Sequence, residues 1–375
     1  MKAKILVTGG AGFIGSHTVD LLLRKGYQVR ILDSLAAPVH VNGQKPGYVP
    51  ADAEFIRGDV RYRQAMDQAL RGVDAVFHLA AYQDYLQDFA TFFDVNSVST
   101  ALLYELIVAR GYPIEKIIVA SSQSVYGEGR YECPADGTQY PPLRPLELLQ
   151  QGQWEPRCPV CGGEMTPVLT DETVVNPHNQ YAISKYTQEM IALNLGMRYD
   201  IPTVGLRYSI TQGARQSFHN AYSGILRTFT MRLLNNSPPV IYEDGEQLRD
   251  YIYVGDVARA NLLVLEDNRA NYRVFNVGSG QATTVLEYAC LVAEKLGRAI
   301  APCIHSEFRF GDTRHIISDI SRLRTLGWEP TTAPQQIVEE YIAWAREQPD
   351  VKDYYAEADQ IMREMGTIRL VHLPC

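Results

Sequence analysis

The sequence predicts an α/β chain: a doubly wound parallel sheet, a smaller mixed α/β unit after it, and a cysteine-bearing insertion. Three observations carry this. Over the first 120 positions, short β-branched apolar runs alternate with helical patterns, the rhythm of βαβ units. A glycine-rich turn separates the first such run from the first helical pattern. The rhythm then breaks between residues 128 and 172, where Cys133, Cys158 and Cys161 stand among prolines and glycines.

Strands are expected at residues 5–8, 28–32, 74–78 and 116–120, and helices at 13–25 and 96–111. Parallel strands require such crossovers, which cover both faces of the sheet. Proline suits a first helical turn, so a helix is expected directly after Asn176-Pro177, followed by a strand at 203–208. Later helices are expected near 222–234, 254–265, 284–296, 335–346 and 354–365, and short strands near 240–242 and 251–253. The division this predicts is residues 1–208, with an insertion at 128–172, and residues 209–375, with some chain crossing between the two.

A chain of 375 residues that is 46% hydrophobic and 21% charged can bury a core without disulfide staples. Its net charge of −8 argues against a nucleic-acid or anionic membrane surface. No signal-like leader or apolar run of about 20 residues is read, so no membrane span is expected. Six cysteines in that setting point to a reducing cytoplasm, with thiols or metal ligands in place of disulfides. Cys290 and Cys303 are expected to be core thiols, and Cys375 is terminal.

Thr8-Gly9-Gly10-Ala11-Gly12-Phe13-Ile14-Gly15 joins the first strand to the first helix. Glycines at this spacing permit a tight turn and let the backbone approach a pyrophosphate at a helix N-terminus. Asp33, with Ser34, closes the second strand, at the spacing of a carboxylate that receives ribose hydroxyls. A carboxylate repels a 2′-phosphate, so NAD is favoured over NADP. Asp59 and Val60, after a third strand, are candidates for the adenine; a solvated turn is the equal alternative.

Tyr181 and Lys185 lie four residues apart on a predicted helix, hence on one face. A free phenol ionises near 10; a neighbouring ammonium lowers that value and makes a base. Ser122, at the carboxyl end of the fifth strand, is placed to bond a substrate oxygen and pass its proton toward Tyr181.

Together these residues resemble the extended short-chain dehydrogenase/reductase family, in particular its NAD-dependent nucleotide-sugar epimerases. The resemblance runs from the N-terminus to about Pro330. Its further pieces are His78-Leu79-Ala80-Ala81, Asn96, Arg207-Tyr208, the run from Arg249 to Val254, and Gly311-Asp312-Thr313-Arg314. It implies a Rossmann-type domain with tightly bound NAD and a substrate domain. Leu79, Ala80, Ala81 and Asn96 join the cofactor residues, Arg249 and Arg314 hold a nucleotide diphosphate, and a homodimer forms through helices near 99–110 and 181–195. The implied reaction is epimerisation at C4 through a transient 4-keto sugar, of UDP-hexose or dTDP-6-deoxyhexose type. Tyr181 takes a hydroxyl proton while hydride passes to the nicotinamide, and hydride then returns to the opposite face.

Departures narrow the substrate. Dehydratases and decarboxylases of the family carry carboxylates where this chain has Gln123 and Ser124, and GDP-mannose 3,5-epimerases carry a cysteine at the Ser124 position. After Arg207-Tyr208 the galactose enzymes show Phe-Asn, where this chain has Ser209-Ile210. Gln83, in the segment 82–85, is expected to face the sugar with Ser209. The alternatives are a dehydratase or dehydrogenase of the same family, and a non-catalytic NAD-binding scaffold.

Cys158-Pro-Val-Cys161-Gly162 has zinc-knuckle spacing, Cys133 offers a third thiolate, and Asp136 stands where a fourth ligand belongs. His178 is an alternative fourth ligand. The alternatives to structural zinc are a metal-free thiol cluster and a redox switch. Because the insertion precedes Tyr181, it is also a candidate lid over the sugar.

Overall fold

The computed structural model describes residues 3–84, 86–219, 224–305, 307–348 and 352–371. Tyr85, Cys375 and the start of the helix expected at 222 lie outside the described residues. The main sheet comprises β1 (Lys4–Thr8), β2 (Gln28–Asp33), β3 (Glu54–Arg57), β4 (Ala75–His78), β5 (Lys116–Ser122), β6 (Thr203–Tyr208) and β7 (Arg273–Val277). Its order is β7-β6-β5-β4-β1-β2-β3, parallel throughout. β1, β4 and most of β5 are continuously buried, as expected of strands covered on both faces.

Helices α1 (Phe13–Arg24), α2 (Arg63–Leu70), α3 (Phe89–Arg110) and α4 (Gln180–Arg198) flank the sheet. They help enclose two apolar cores, one on each face: Val7, Ile31, Phe77 and Phe275 belong to one, Leu6, Val76, Leu103 and Ile117 to the other. α3 begins earlier than the sequence suggests and carries a π turn at Asp94–Val98. By length and composition it could cross a membrane, which corrects the reading that no such run exists. Half of that stretch is nevertheless buried inside the protein, the position of a core helix. α4 starts three residues later than Pro177 suggests, because the Asn179 side chain caps it by accepting from the Ala182 N–H at 2.9 Å.

After β6 the chain adds α5 (Ile225–Leu234), α6 (Val254–Glu266), α7 (Val285–Leu296), α8 (Pro334–Arg346) and α9 (Tyr355–Glu364). α5, α7 and α8 share a third core around Phe229, Tyr288 and Tyr341. α6 returns to pack on α1, and β7 joins the main sheet beside β6. Cys290 is exposed and Cys303 half-buried, so neither is the core thiol the sequence suggested. The insertion is a three-stranded antiparallel sheet of Arg130–Cys133, Gly137–Gln139 and Thr166–Val168.

Candidate active site

All seven strands point the same way, so the turns after β1 to β6 meet along one edge. There they line a cavity of about 660 Å³. One end is built by Gly9, Gly12, Phe13, Ile14, Gly15, Asp33 and Ser34, with Asp59 and Val60 beyond. Gly9 has φ +69, and a Cβ there would lie 2.8 Å from the backbone of Ala80. A Cβ on Gly15 would lie 2.1 Å from the Gly9 carbonyl oxygen. These two positions therefore admit only glycine, and the first turn of α1, which has no side-chain cap, opens toward the cavity. The Asp33 carboxylate is aimed by the Ala11 and Leu35 N–H groups, at 3.0 and 2.9 Å. His40 Nε2 stands 3.9 Å from it. Asp59 instead closes on Arg61, whose guanidinium holds its carboxyl below the usual range despite partial burial. These residues fit a dinucleotide: a glycine cradle, an open helix terminus and an acid at the end of the neighbouring strand, on the same cavity.

The middle of the cavity holds the residues expected to be catalytic. Leu79, Ala80, Ala81, Gln83, Ser122, Gln123, Ser124 and Tyr181 all line it. Ser122 Oγ accepts from the Ser124 N–H at 3.1 Å. Among the described residues the buried Gln123 Oε1 and Ser124 Oγ have no hydrogen-bond partner, so both can receive a polar ligand. Lys185 lies behind this wall, fully buried, with Nζ donating to Gln188 Oε1 at 2.8 Å. Burial drives its pKa down to about 7. His78, held between Thr8 and Ser99 hydroxyls, is pushed down to about 3 by burial and by Lys185, so it is neutral.

At the far end Ser209, Ile210, Arg249, Arg309, Asp312 and Thr313 complete the lining. Arg249 donates from Nη1 to the Leu248 and Arg314 carbonyls and from Nη2 to the Thr313 carbonyl, at 2.9, 2.9 and 2.8 Å. These acceptors are uncharged, so its charge faces the cavity uncompensated by them. Ser209 shares its hydroxyl with Ser318 at 2.7 Å.

Besides Lys185, two more expected site residues lie off the cavity wall. Asn96 is buried away from the cavity wall; its amide bonds the Tyr82 backbone and Ser184 Oγ, and so shapes the turn after β4. Arg314, expected to hold a diphosphate, is likewise off the cavity wall. The residue is 1% exposed, and its guanidinium is enclosed by Glu155, Glu243 and Asp244 at 2.7–3.0 Å. Arg309, which the sequence reading missed, faces the cavity instead, paired with Asp312. An arginine three residues before an acid was its signal, masked by Arg314 two residues after the same acid.

The insertion gathers Cys133, Asp136, Cys158 and Cys161, whose ligand atoms all lie within 4.8 Å of one another. Cys133 Sγ lies 3.6 Å from Cys161 Sγ, and Cys158 Sγ lies 3.2 Å from an Asp136 oxygen. His178 is on the cavity wall, which excludes it as the fourth member of this cluster.

The model of the NAD dependent epimerase/dehydratase family matches residues 5–148 and 160–278. The chain therefore belongs to that family, with the Rossmann-type fold of its extended short-chain dehydrogenase/reductase relatives. It is 33% identical over 357 residues to a dTDP-L-rhamnose 4-epimerase of Burkholderia thailandensis, covering 93% of this chain and 97% of that one. Among solved structures it resembles the UDP-glucose 4-epimerase of Thermotoga maritima bound to UDP-glucose, at 30% identity and a TM-score of 0.76, covering 92% and 99% of the two chains. It also resembles the UDP-glucose 4-epimerase of Thermus thermophilus in complex with NAD, at 30% identity and a TM-score of 0.71, with the same coverage.

Proposed function

We propose that this protein epimerises a nucleotide-activated sugar at C4, using resident NAD. The observation that carries this reading is one continuous cavity: a glycine cradle and Asp33 at one end, Ser122 and Tyr181 in the middle, Arg249 and Arg309 at the other. Bound NAD⁺ supplies a reversible hydride acceptor. Tyr181 takes the proton of the sugar 4-hydroxyl and later returns it. Ser122 bonds the same oxygen, and Lys185, one helical turn from Tyr181, favours the phenolate when charged. Gln123 and Ser124 bring hydrogen-bonding groups without a carboxylate, which favours epimerisation over elimination. Arg249 and Arg309 take the diphosphate through charge-assisted bonds, and Gln83 and Ser209 flank the sugar.

We assign NAD binding to residues 1–208 and the sugar nucleotide chiefly to 209–375, with β7 and α6 returned to the first unit. Structural zinc in the Cys133, Asp136, Cys158 and Cys161 cluster fits the chemistry of three thiolates and a carboxylate. Such thiolates persist in a reducing cytoplasm. A homodimer fits the exposed stripe of Ile183, Met190 and Met197, seven residues apart on α4, beside Val98 on α3.

The test is product NMR after incubation with UDP- and dTDP-hexoses. The expected result is the C4 epimer with no NADH released. Stoichiometric NADH would make the chain a dehydrogenase, loss of water a dehydratase, and failure to bind any sugar nucleotide a scaffold.

A further inference from the structure

The insertion and the diphosphate end of the cavity are joined by polar contacts, made by the half-exposed Glu155 side chain to buried partners, that catalysis at Tyr181 does not require. Glu155, three residues before Cys158, places one carboxylate oxygen 2.8 Å from Arg314 Nε and the other 2.9 Å from His315 Nε2. Both partners lead to Arg249. The Arg314 carbonyl accepts from Arg249 Nη1. His315 Nδ1 accepts from the Leu248 N–H at 3.0 Å, and the Leu248 carbonyl accepts from the same Nη1. The carboxylate thus pins both pieces of backbone that seat the Arg249 guanidinium. Arg144, also from the insertion, donates to the Asp312 carbonyl at 2.7 Å, and Trp154 packs on Phe308 with ring centroids 5.9 Å apart, beside Arg309.

We infer that the insertion is a brace for the diphosphate-binding cations, with Glu155 the positioning residue that sets Arg249. This rests on the sugar-nucleotide reading above. It differs from a lid, because the insertion acts on the protein's arginines and need not touch the sugar. It also explains why Arg314 is withdrawn from the cavity. A guanidinium saturated by Glu155, Glu243 and Asp244 has no donor left for phosphate, but its main chain becomes a rigid seat. The Cys133–Cys158–Cys161 cluster ties the two ends of the insertion together, so it holds Glu155 at the correct height.

Glutamine cannot replace this carboxylate. His315 accepts through Nδ1, so Nε2 carries a proton, and an amide at position 155 satisfies Arg314 or His315 but not both. Glu155→Gln also removes a negative charge near the phosphate site. Electrostatics alone would then tighten an anion, whereas loss of the brace weakens it, and the two accounts differ in sign.

The experiment measures calorimetric binding of UDP and dTDP to the NAD-loaded protein, with bound NAD and melting temperature recorded beside it. Glu155→Gln is expected to weaken nucleoside diphosphate binding about tenfold, the scale of coupling through a contiguous network. NAD content and kcat at saturating substrate should stay unchanged, and the protein should remain folded with a melting temperature lowered by no more than one lost hydrogen bond accounts for. Glu155→Asp should recover part of the loss. Glu164→Gln, which removes the same charge from an exposed pair with Arg157, should change nothing. Unchanged or tighter binding in Glu155→Gln overturns the inference, and so does loss of bound NAD or of folding, which would make Glu155 merely structural. If the unsubstituted protein binds neither nucleotide, the sugar-nucleotide reading itself has failed, a separate outcome.

Discussion

Lys185 is where function and stability oppose each other, and Lys185→Met measures the conflict. In the unfolded chain a lysine holds its proton up to about 10.5, while burial here brings that down to about 7. Below pH 7 the NAD-free folded protein therefore carries a desolvated ammonium. At about 1.36 kcal/mol per pH unit of displacement this costs on the order of 5 kcal/mol. Between pH 7 and 10.5 the unfolded chain binds the extra proton, so stability rises with pH, and at pH 9 roughly 2 kcal/mol of the cost remains. Methionine removes the charge but leaves Gln188 Oε1 without its donor, a penalty of about 1–3 kcal/mol. The variant should then be more stable than the parent by about 2–4 kcal/mol at pH 6 and nearly equal to it at pH 9. Its kcat should fall by at least about 10²-fold, since Tyr181 loses its cationic neighbour. Urea unfolding of both NAD-free proteins from pH 6 to pH 9 reads the difference. Parallel stability curves, with no convergence as pH rises, would refute the assignment of a buried lysine displaced by desolvation.

Tyr181→Phe should lower kcat by about 10²–10⁴-fold while leaving bound NAD and nucleotide affinity intact, measured by steady-state kinetics and cofactor extraction. Gly15→Ala drives a Cβ into the Gly9 carbonyl and should cost about 1–3 kcal/mol or more along with the bound NAD, whereas Gly47→Ala, with nothing within 4 Å, should be near neutral in the same melting and cofactor assays. Mass spectrometry under native conditions should find one zinc per chain. Chelation should lower the melting temperature by several degrees, and Asp136→Cys, which completes four thiolates, should slow metal loss to the chelator.

Most of the cofactor end was legible in the sequence because its determinants are local. A glycine at 9 must adopt φ +69, and the acid at 33 terminates a strand whose register β1 sets. The Tyr181–Lys185 spacing needs only a helical turn to place both groups on one face. The cysteines were legible for the same reason, since Cys158 and Cys161 belong to one tight turn; Asp136 was read as the fourth member, and the coordinates set His178, the alternative, on the cavity wall. Helix starts were less so. Asn179 outcompeted Pro177 because a side-chain acceptor for the Ala182 N–H caps a terminus, whereas proline only tolerates one.

By itself the sequence determined what depends on near neighbours: the strand and helix rhythm, the glycine turn after the first strand, the acid closing the second and the tyrosine–lysine pair on one helix. Tertiary structure alone decided which arginines line the cavity. Arg309 and Arg314 are equivalent as residue types and lie five positions apart. Arg314 is neutralised by carboxylates 70 to 159 positions away in the chain, while Arg309 has its acid at 312 and keeps a place on the cavity wall. The charge of a side chain is written in its codon, but whether that charge is already compensated depends on what folding brings within 3 Å of it.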